Sequence, residues 1–111
     1  MLILLCQDRV ALCRRPQNGL LAGLWQFPDV SGMLEISQVL ETVRSMGMEP
    51  VDILRQTDKT HIFTHVRWNM RGVYLAVKQP SDQLCWVSPS QLEGEYALPT
   101  AYRQFWEADM I

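Results

Sequence analysis

The chain has 111 residues, of which 48% are hydrophobic and 20% charged, a size and composition typical of one globular domain. Its formal net charge of −2 argues against strong autonomous binding of nucleic acid, which normally requires a basic face. Three cysteines, Cys6, Cys13 and Cys85, are too few for a disulfide scaffold and indicate free thiols in a reducing, cytoplasmic compartment.

No segment is expected to cross a membrane. The opening apolar run, residues 2–6, ends at Gln7 and Asp8, far short of the roughly 18 to 20 apolar residues that a span requires. The sequence also lacks a basic leader and cleavage site. Cys6 and Cys13 could begin an iron–sulfur ligand set, but no further cysteines follow at short spacing, so we expect no metal or other cofactor in this chain.

The first elements are a hairpin and a loop. Apolar runs at residues 2–6 and 9–14, separated by a polar turn, predict two antiparallel strands. Residues 15–28 form a predicted loop because Pro16, Gly19, Gly23 and Pro28 interrupt it, and a short strand is expected at residues 25–27.

An amphipathic helix follows the loop. Apolar residues recur at intervals of three and four, as in one face of a helix; they are Ile36, Val39, Leu40, Val43 and Met46. Gly47 stands where a left-handed C-cap belongs, and Pro50 prevents the helix from continuing.

Strands are predicted at residues 51–56, 61–69, 72–78 and 84–87, because these segments are rich in β-branched and aromatic residues. A helical turn is expected at 88–92, and Pro99 begins a last helix. The apolar face of that helix is formed by Ala101, Tyr102, Phe105 and Trp106. The order predicts an α+β fold in which a mixed or antiparallel sheet is sandwiched with a central helix and a C-terminal helix.

A helix after a Gly/Pro loop in such a fold resembles the Nudix arrangement, whose helix carries metal-binding glutamates in the box G-x5-E-x7-R-E-U-x-E-E-x-G-U, U being aliphatic. With the final G-U on Gly47 and Met48, Glu41 matches the glutamate of R-E, and Leu40 replaces the arginine. Arg44 and Ser45 take the places of the paired glutamates. Since Mg²⁺ requires oxygen ligands, we expect no metal-dependent pyrophosphatase activity and interpret the chain as a binding module.

Four segments together resemble the C-terminal domain of MutY-type adenine DNA glycosylases. They are R-P-x-x-G-L-L-A-G-L-W-Q-F-P from residue 15, H-I-F-T-H-V-R-W from residue 61, W-V-S-P-S-Q-L from residue 86, and Y-A-L-P-T-A-Y-R from residue 96. The resemblance runs from about residue 10 to residue 105. It implies a single Nudix-like 8-oxoguanine-recognition domain over residues 1–111.

The resemblance also implies partners and a cellular place. The family's domain lies against double-stranded DNA that contains 8-oxoguanine paired with adenine, and it is covalently linked to a catalytic helix-hairpin-helix domain with a [4Fe–4S] cluster. That catalytic domain has no counterpart in this chain, which is therefore expected to be non-catalytic. The resemblance also implies a bacterial-type protein that is cytoplasmic and associated with the nucleoid.

The family's F-S-H loop matches Phe63, Thr64 and His65, with threonine in place of serine. The resemblance implies that Thr64 lies at the edge of the 8-oxoguanine base, with Phe63 and His65 setting the loop. Oxidation at C8 adds a carbonyl oxygen and turns N7 from an acceptor into a donor, and a hydroxyl can serve both groups. A plain β-branched strand residue is the alternative for Thr64.

Other polar residues are candidates for contacts to DNA or for structural roles. Arg14, Lys59, His61 and Arg67 are candidates for contacts to the DNA backbone, and a solvated strand edge is their alternative. His61 and His65 would stand about 13 Å apart on one strand, too far to share a metal ion, so structural or phosphate-binding roles remain open for both.

Two rival functions stay open. One is a stand-alone Nudix hydrolase of nucleotides of the 8-oxo-dGTP type, against which Arg44 and Ser45 argue. The other is a protein-interaction module that has kept the fold and no longer binds nucleotides.

Overall fold

The fold is built on a six-stranded mixed sheet, seen in a computed structural model that describes residues 1–15, 17, 23–29, 35–96 and 98–106. The strands are β1 (Leu2–Cys6), β2 (Arg9–Arg14), β3 (Trp25–Gln26), β4 (Pro50–Phe63), β5 (Val66–Val77) and β6 (Cys85–Val87). Their order is β3-β2-β1-β5-β4, and β6 also pairs with β2. β1 runs parallel to β5, and the other pairs are antiparallel.

Helices cover both faces of this sheet. They are α1 (Ile36–Ser45), α2 (Pro89–Gly94) and α3 (Thr100–Arg103). Val39 and Val43 of α1 lie in one core cluster, whereas Leu92 of α2 and Tyr102 of α3 lie in the other. The predicted α+β sandwich is therefore confirmed. Within the described part of the chain, no helix is long and apolar enough to span a membrane.

β1 separates the two core clusters and is buried along its whole length. Because successive side chains of a strand point to opposite faces, Leu2 and Leu4 pack on the α1 side, and Ile3 and Leu5 pack on the side of α2 and α3. A strand buried on both faces reads as a continuous apolar run, which explains the opening of the sequence.

Capping residues fix the C-terminal end of α1 and the N-terminal end of α2. Gly47 has φ of +87°, and the amide of Met48 donates to the carbonyl of Val43 at 3.3 Å, so the left-handed C-cap is confirmed. Ser88 caps α2, since its hydroxyl accepts from the amide of Gln91 at 3.3 Å. Of the loop predicted at 15–28, Pro16 and Gly19 lie outside the described residues.

The separate strands predicted at 51–56, 61–69 and 72–78 are wrong. β4 continues to Phe63, residues 64 and 65 form a turn, and β5 returns from Val66 to Val77. The polar residues 57–60, interpreted as a break, belong to β4, in which positions 57 and 59 are half-buried and positions 58 and 60 are exposed. The turn was missed because it contains none of the usual turn residues glycine, proline or asparagine.

The far half of this ribbon projects beyond the sheet. β1 pairs with β5 only from Val73 onward, and within the described residues no third strand flanks positions 58–71. We call residues 58–71 the outer hairpin. A two-stranded ribbon is marginally stable by itself in water, so its position depends on contacts with the rest of the domain.

Candidate nucleic-acid interface

The turn of the outer hairpin presents the three residues matched to the F-S-H loop. Phe63 ends β4 and pairs with Val66 at the start of β5. Thr64 and His65 form the turn between them, and both are exposed. The Thr64 side chain is thus not sealed in the interior, and its hydroxyl can offer one donor and two acceptor sites to a ligand.

The prediction that His61 and His65 lie on one continuous strand is wrong. His61 lies on β4, opposite Trp68, whereas His65 lies in the turn. The 13 Å separation derived from a continuous strand is therefore wrong. No cluster of three or more potential metal ligands from His, Cys, Asp or Glu occurs within the residues that the structure describes.

The outer hairpin has two chemically different faces. Alternation along the paired strands places Lys59, His61, Trp68 and Met70 on the face that packs toward α3. The opposite face carries Asp58, Thr60, Arg67, Asn69 and Arg71. Two of the proposed DNA contacts, Lys59 and His61, consequently share a face, and Arg67 lies on the other.

Cross-strand polar pairs hold the second face. The guanidinium of Arg71 donates to both carboxylate oxygens of Asp58, at 2.8 and 3.1 Å, and this bidentate pair lowers the pKa of the Asp58 carboxyl. The Thr60 hydroxyl donates to the side-chain oxygen of Asn69 at 3.2 Å. These pairs fix the register of the two strands against each other.

The Lys59 side chain contacts the part of the domain around α3. Its ammonium donates to the backbone carbonyl of Gln104, just past α3, and lies 5.7 Å from the ring centroid of Phe105. The side chain is half-buried. This contact anchors β4, a role that sequence reasoning missed because the two residues are 45 positions apart.

Arg14 and Arg15 are neighbours with different environments. Arg14 is exposed, and its guanidinium carbon lies 4.9 Å from the ring centroid of Trp25. Arg15 is half-buried, and it donates to the side-chain oxygen of Gln26 at 2.8 Å and to the hydroxyl of Tyr102. Arg14 is one of the predicted DNA contacts. Arg15 was not predicted as one, although it forms a basic pair with Arg14 and begins the R-P segment.

Aromatic rings complete the surroundings of Arg15. Its guanidinium carbon lies 5.2 Å from the ring centroid of Trp68 and 5.8 Å from that of Tyr102, within the range of cation–π attraction. The two rings meet edge to face, with centroids 6.0 Å apart. Burial raises the pKa of the Tyr102 hydroxyl, and the nearby Arg15 partly offsets this rise.

The three thiols lie on three strands: Cys6 on β1, Cys13 on β2 and Cys85 on β6. Burial raises the pKa of the Cys13 thiol, which keeps the thiol protonated and a poor metal ligand. The nearby amide of Gln26 donates to its sulfur at 3.7 Å. The Cys13 side chain is thus part of the packing around β3.

The helix that matches the Nudix box presents few metal ligands. Glu41, Arg44 and Ser45 are all exposed on α1. The hydroxyl of Ser45 donates to the backbone carbonyl of Thr42 at 2.6 Å. A cation and a hydroxyl bonded to its own helix therefore occupy the positions of the paired glutamates, an arrangement that would repel Mg²⁺.

The chain matches the model of the NUDIX domain family over residues 1–108. It is 37% identical over 78 residues to adenine DNA glycosylase of Mus musculus and 34% identical over 76 residues to adenine DNA glycosylase of Homo sapiens. Each alignment covers 63% of this chain but only 15% and 14%, respectively, of those proteins. The chain is thus similar to a small part of each relative.

A solved structure supports the fold. The C-terminal domain of mouse MUTYH, determined in complex with human PCNA, matches 93% of this chain and 81% of its own with a TM-score of 0.59. The sequence identity over that match is 22%, so the match establishes the fold. With the two curated relatives, it confirms the resemblance to the C-terminal domain of MutY-type adenine DNA glycosylases.

Proposed function

The chain belongs to the NUDIX domain family, and we propose that it is the lesion-recognition domain of an adenine DNA glycosylase in base excision repair. The complete enzyme flips adenine out of the duplex and cleaves its glycosidic bond, while this domain reads the opposite 8-oxoguanine. The aligned part of the chain covers about one seventh of each mammalian relative. The catalytic domain, with its [4Fe–4S] cluster, belongs to the remainder of that protein.

The observation that carries this proposal is the exposure of Thr64, a residue with a hydroxyl, at the tip of a projecting hairpin. The hydroxyl donates to O8 or accepts from the N7–H of the oxidised base. It can also donate to N7 of ordinary guanine, so one such contact discriminates by about 1 kcal/mol.

The charge of the domain fits a tethered reader better than an independent DNA-binding protein. A net charge of −2 provides little general attraction to phosphate. In the proposal, Arg14, His61 and Arg67 make positioning contacts to the backbone, and the catalytic domain supplies most of the affinity. The covalent link then supplies a high effective concentration of this domain at the lesion. A reducing, cytoplasmic compartment suits the free thiols.

The test is a pair of substitutions at position 64 in the complete glycosylase. Thr64→Val keeps the branched shape and removes the hydroxyl, whereas Thr64→Ser keeps the hydroxyl. We expect Thr64→Val to reduce the preference for adenine opposite 8-oxoguanine over adenine opposite guanine by about fivefold, the equivalent of about 1 kcal/mol. Thr64→Ser should retain the preference. An unchanged preference in Thr64→Val would contradict the proposal.

A second candidate function is protein interaction, favoured by the complex that the mouse MUTYH domain forms with human PCNA. The fold would then serve as a binding surface for another protein. Titrating the chain with human PCNA in a calorimeter tests this function. Saturable binding together with an unchanged base preference in Thr64→Val would favour it over lesion reading.

A further inference from the structure

Arg15 joins three elements that are far apart in the sequence. Just after β2, it donates hydrogen bonds to Gln26 of β3 and to Tyr102 of α3, and its guanidinium lies against the ring of Trp68 on β5. Gln26 is only 7% exposed and Tyr102 only 1%, so the partners of Arg15 are fixed parts of the core.

Trp68 is the member of this group that belongs to the outer hairpin. It pairs with His61, two residue pairs from the Phe63–Val66 pair at the turn, a distance of about 7 Å along the strand. On the face that carries Trp68, the strand becomes exposed beyond it: Trp68 and Met70 are half-buried, whereas Val66 is 42% accessible. The contact with Trp68 therefore supports the hairpin close to the point where it leaves the body of the domain.

The two strands of the hairpin have separate supports. Lys59 holds β4 against the residues after α3, and Arg15 holds β5 against Tyr102. Lysine could not replace Arg15 without loss, because the flat guanidinium can lie on the ring of Trp68 while one of its nitrogens donates to Gln26 and Tyr102. An ammonium has donors but no flat surface to lie on a ring.

We infer that Arg15 is a positioning residue for lesion reading: by holding Trp68 against α3, it sets the direction of the outer hairpin and thereby the place of the Thr64 hydroxyl. The inference rests on the proposed function and adds a specificity determinant that touches no base. A small displacement of a positioned group can reduce its effect substantially, up to about 100-fold per 1 Å in catalytic sites, so a loosened hairpin should weaken discrimination.

The first test uses the chain alone and needs no DNA. In Arg15→Lys we expect the backbone amide NMR signals of Thr64 and His65 to shift or broaden relative to the unsubstituted chain. Arg14→Lys is the matched control, because Arg14 also lies on a tryptophan ring, that of Trp25, but outside the hairpin. It should leave both signals in place.

The second test measures base preference in the complete glycosylase. We expect Arg15→Lys to lower the preference for adenine opposite 8-oxoguanine over adenine opposite guanine by about threefold or more. If Arg15→Lys does not fold, Trp68→Leu replaces it, since it removes the ring on the hairpin and leaves Arg15 its bonds to Gln26 and Tyr102. Trp68→Leu is expected to shift or broaden the amide signals of Thr64 and His65 in the same way.

The outcomes separate this inference from the proposed function. A lower denaturation midpoint with unchanged Thr64 and His65 signals and unchanged preference would give Arg15 a purely structural role and overturn the inference, even if Thr64→Val lowers the preference. Conversely, if Thr64→Val leaves the preference unchanged, the proposed function fails. The amide shifts in Arg15→Lys would then still report whether Arg15 positions the hairpin.

Discussion

The ammonium of Lys59 donates a hydrogen bond to the backbone carbonyl of Gln104. The bond ties β4 to the end of α3. Lys59, a predicted phosphate contact, therefore has a structural partner within the domain. Because the side chain is half-buried, losing this charge-assisted bond should be felt in stability.

We expect Lys59→Met to lower the free energy of unfolding by about 1 kcal/mol, measured by urea denaturation. Lys78→Met is the matched control, because Lys78 is exposed and should change stability by less than about 0.5 kcal/mol. If Lys59→Met instead leaves stability unchanged and reduces the salt dependence of DNA binding by about one phosphate contact, Lys59 is a DNA ligand.

Gly72 marks a place where β5 comes very close to the core. A Cβ atom at this position would stand 2.7 Å from a ring carbon of Phe105 and 3.0 Å from a side-chain carbon of Ile3. Since Phe105 is fully buried, the ring has little room to move. We predict that Gly72→Ala lowers the free energy of unfolding by about 1 to 3 kcal/mol.

The control for that prediction is Gly94→Ala, where an added Cβ meets open space. It should be neutral or stabilise the chain by up to about 1 kcal/mol, because alanine restricts the unfolded chain more than glycine. Equal destabilisation in both variants would show that crowding by Phe105 is not the cause.

The Asp58–Arg71 pair predicts a pH effect with a defined sign. The hydrogen bonds from Arg71 hold the pKa of the Asp58 carboxyl below its ordinary value of 3.8. The pair's contribution to stability is therefore present above that ordinary value and is lost as the pH falls through the lower pKa of the folded state. We expect carbon-detected NMR titration to show the Asp58 pKa rising in Arg71→Gln. It should not rise in Arg44→Gln, in which the lost cation lies on α1.

The Nudix box predicts a negative enzymatic result. Because Arg44 and Ser45 replace the paired glutamates, the chain should release no pyrophosphate from 8-oxo-dGTP in the presence of Mg²⁺. Release that requires Mg²⁺ and disappears in Glu41→Gln would contradict this expectation and support a nucleotide hydrolase.

Regular periodicity and capping residues predicted most of the elements. The apolar spacing in α1, the left-handed position of Gly47 and the buried run of β1 follow from local chemistry, and each is found in the structure. The parallel pairing of β1 with β5 was not predictable in this way, because it joins segments about 70 residues apart and leaves no local signature.

The candidate site was predictable only in part. The F-T-H match singled out Thr64, but the sequence around the turn resembles a strand because Phe63, Thr64 and Val66 are of residue types enriched in strands. The contacts that support the hairpin were even harder to predict from the sequence. Lys59 with Gln104, and Arg15 with Tyr102, are contacts between distant segments, and a basic residue alone does not reveal whether its partner is phosphate or protein.

The most direct measurement of the central claim is an NMR titration of the chain with two short duplexes that differ only in carrying 8-oxoguanine or guanine opposite adenine. Weak binding suffices for this experiment. We predict that the amide signals of Thr64 and His65 move, and that they move further with the 8-oxoguanine duplex. Identical shifts with both duplexes, or shifts confined to surfaces away from the outer hairpin, would contradict the claim that this turn reads the lesion.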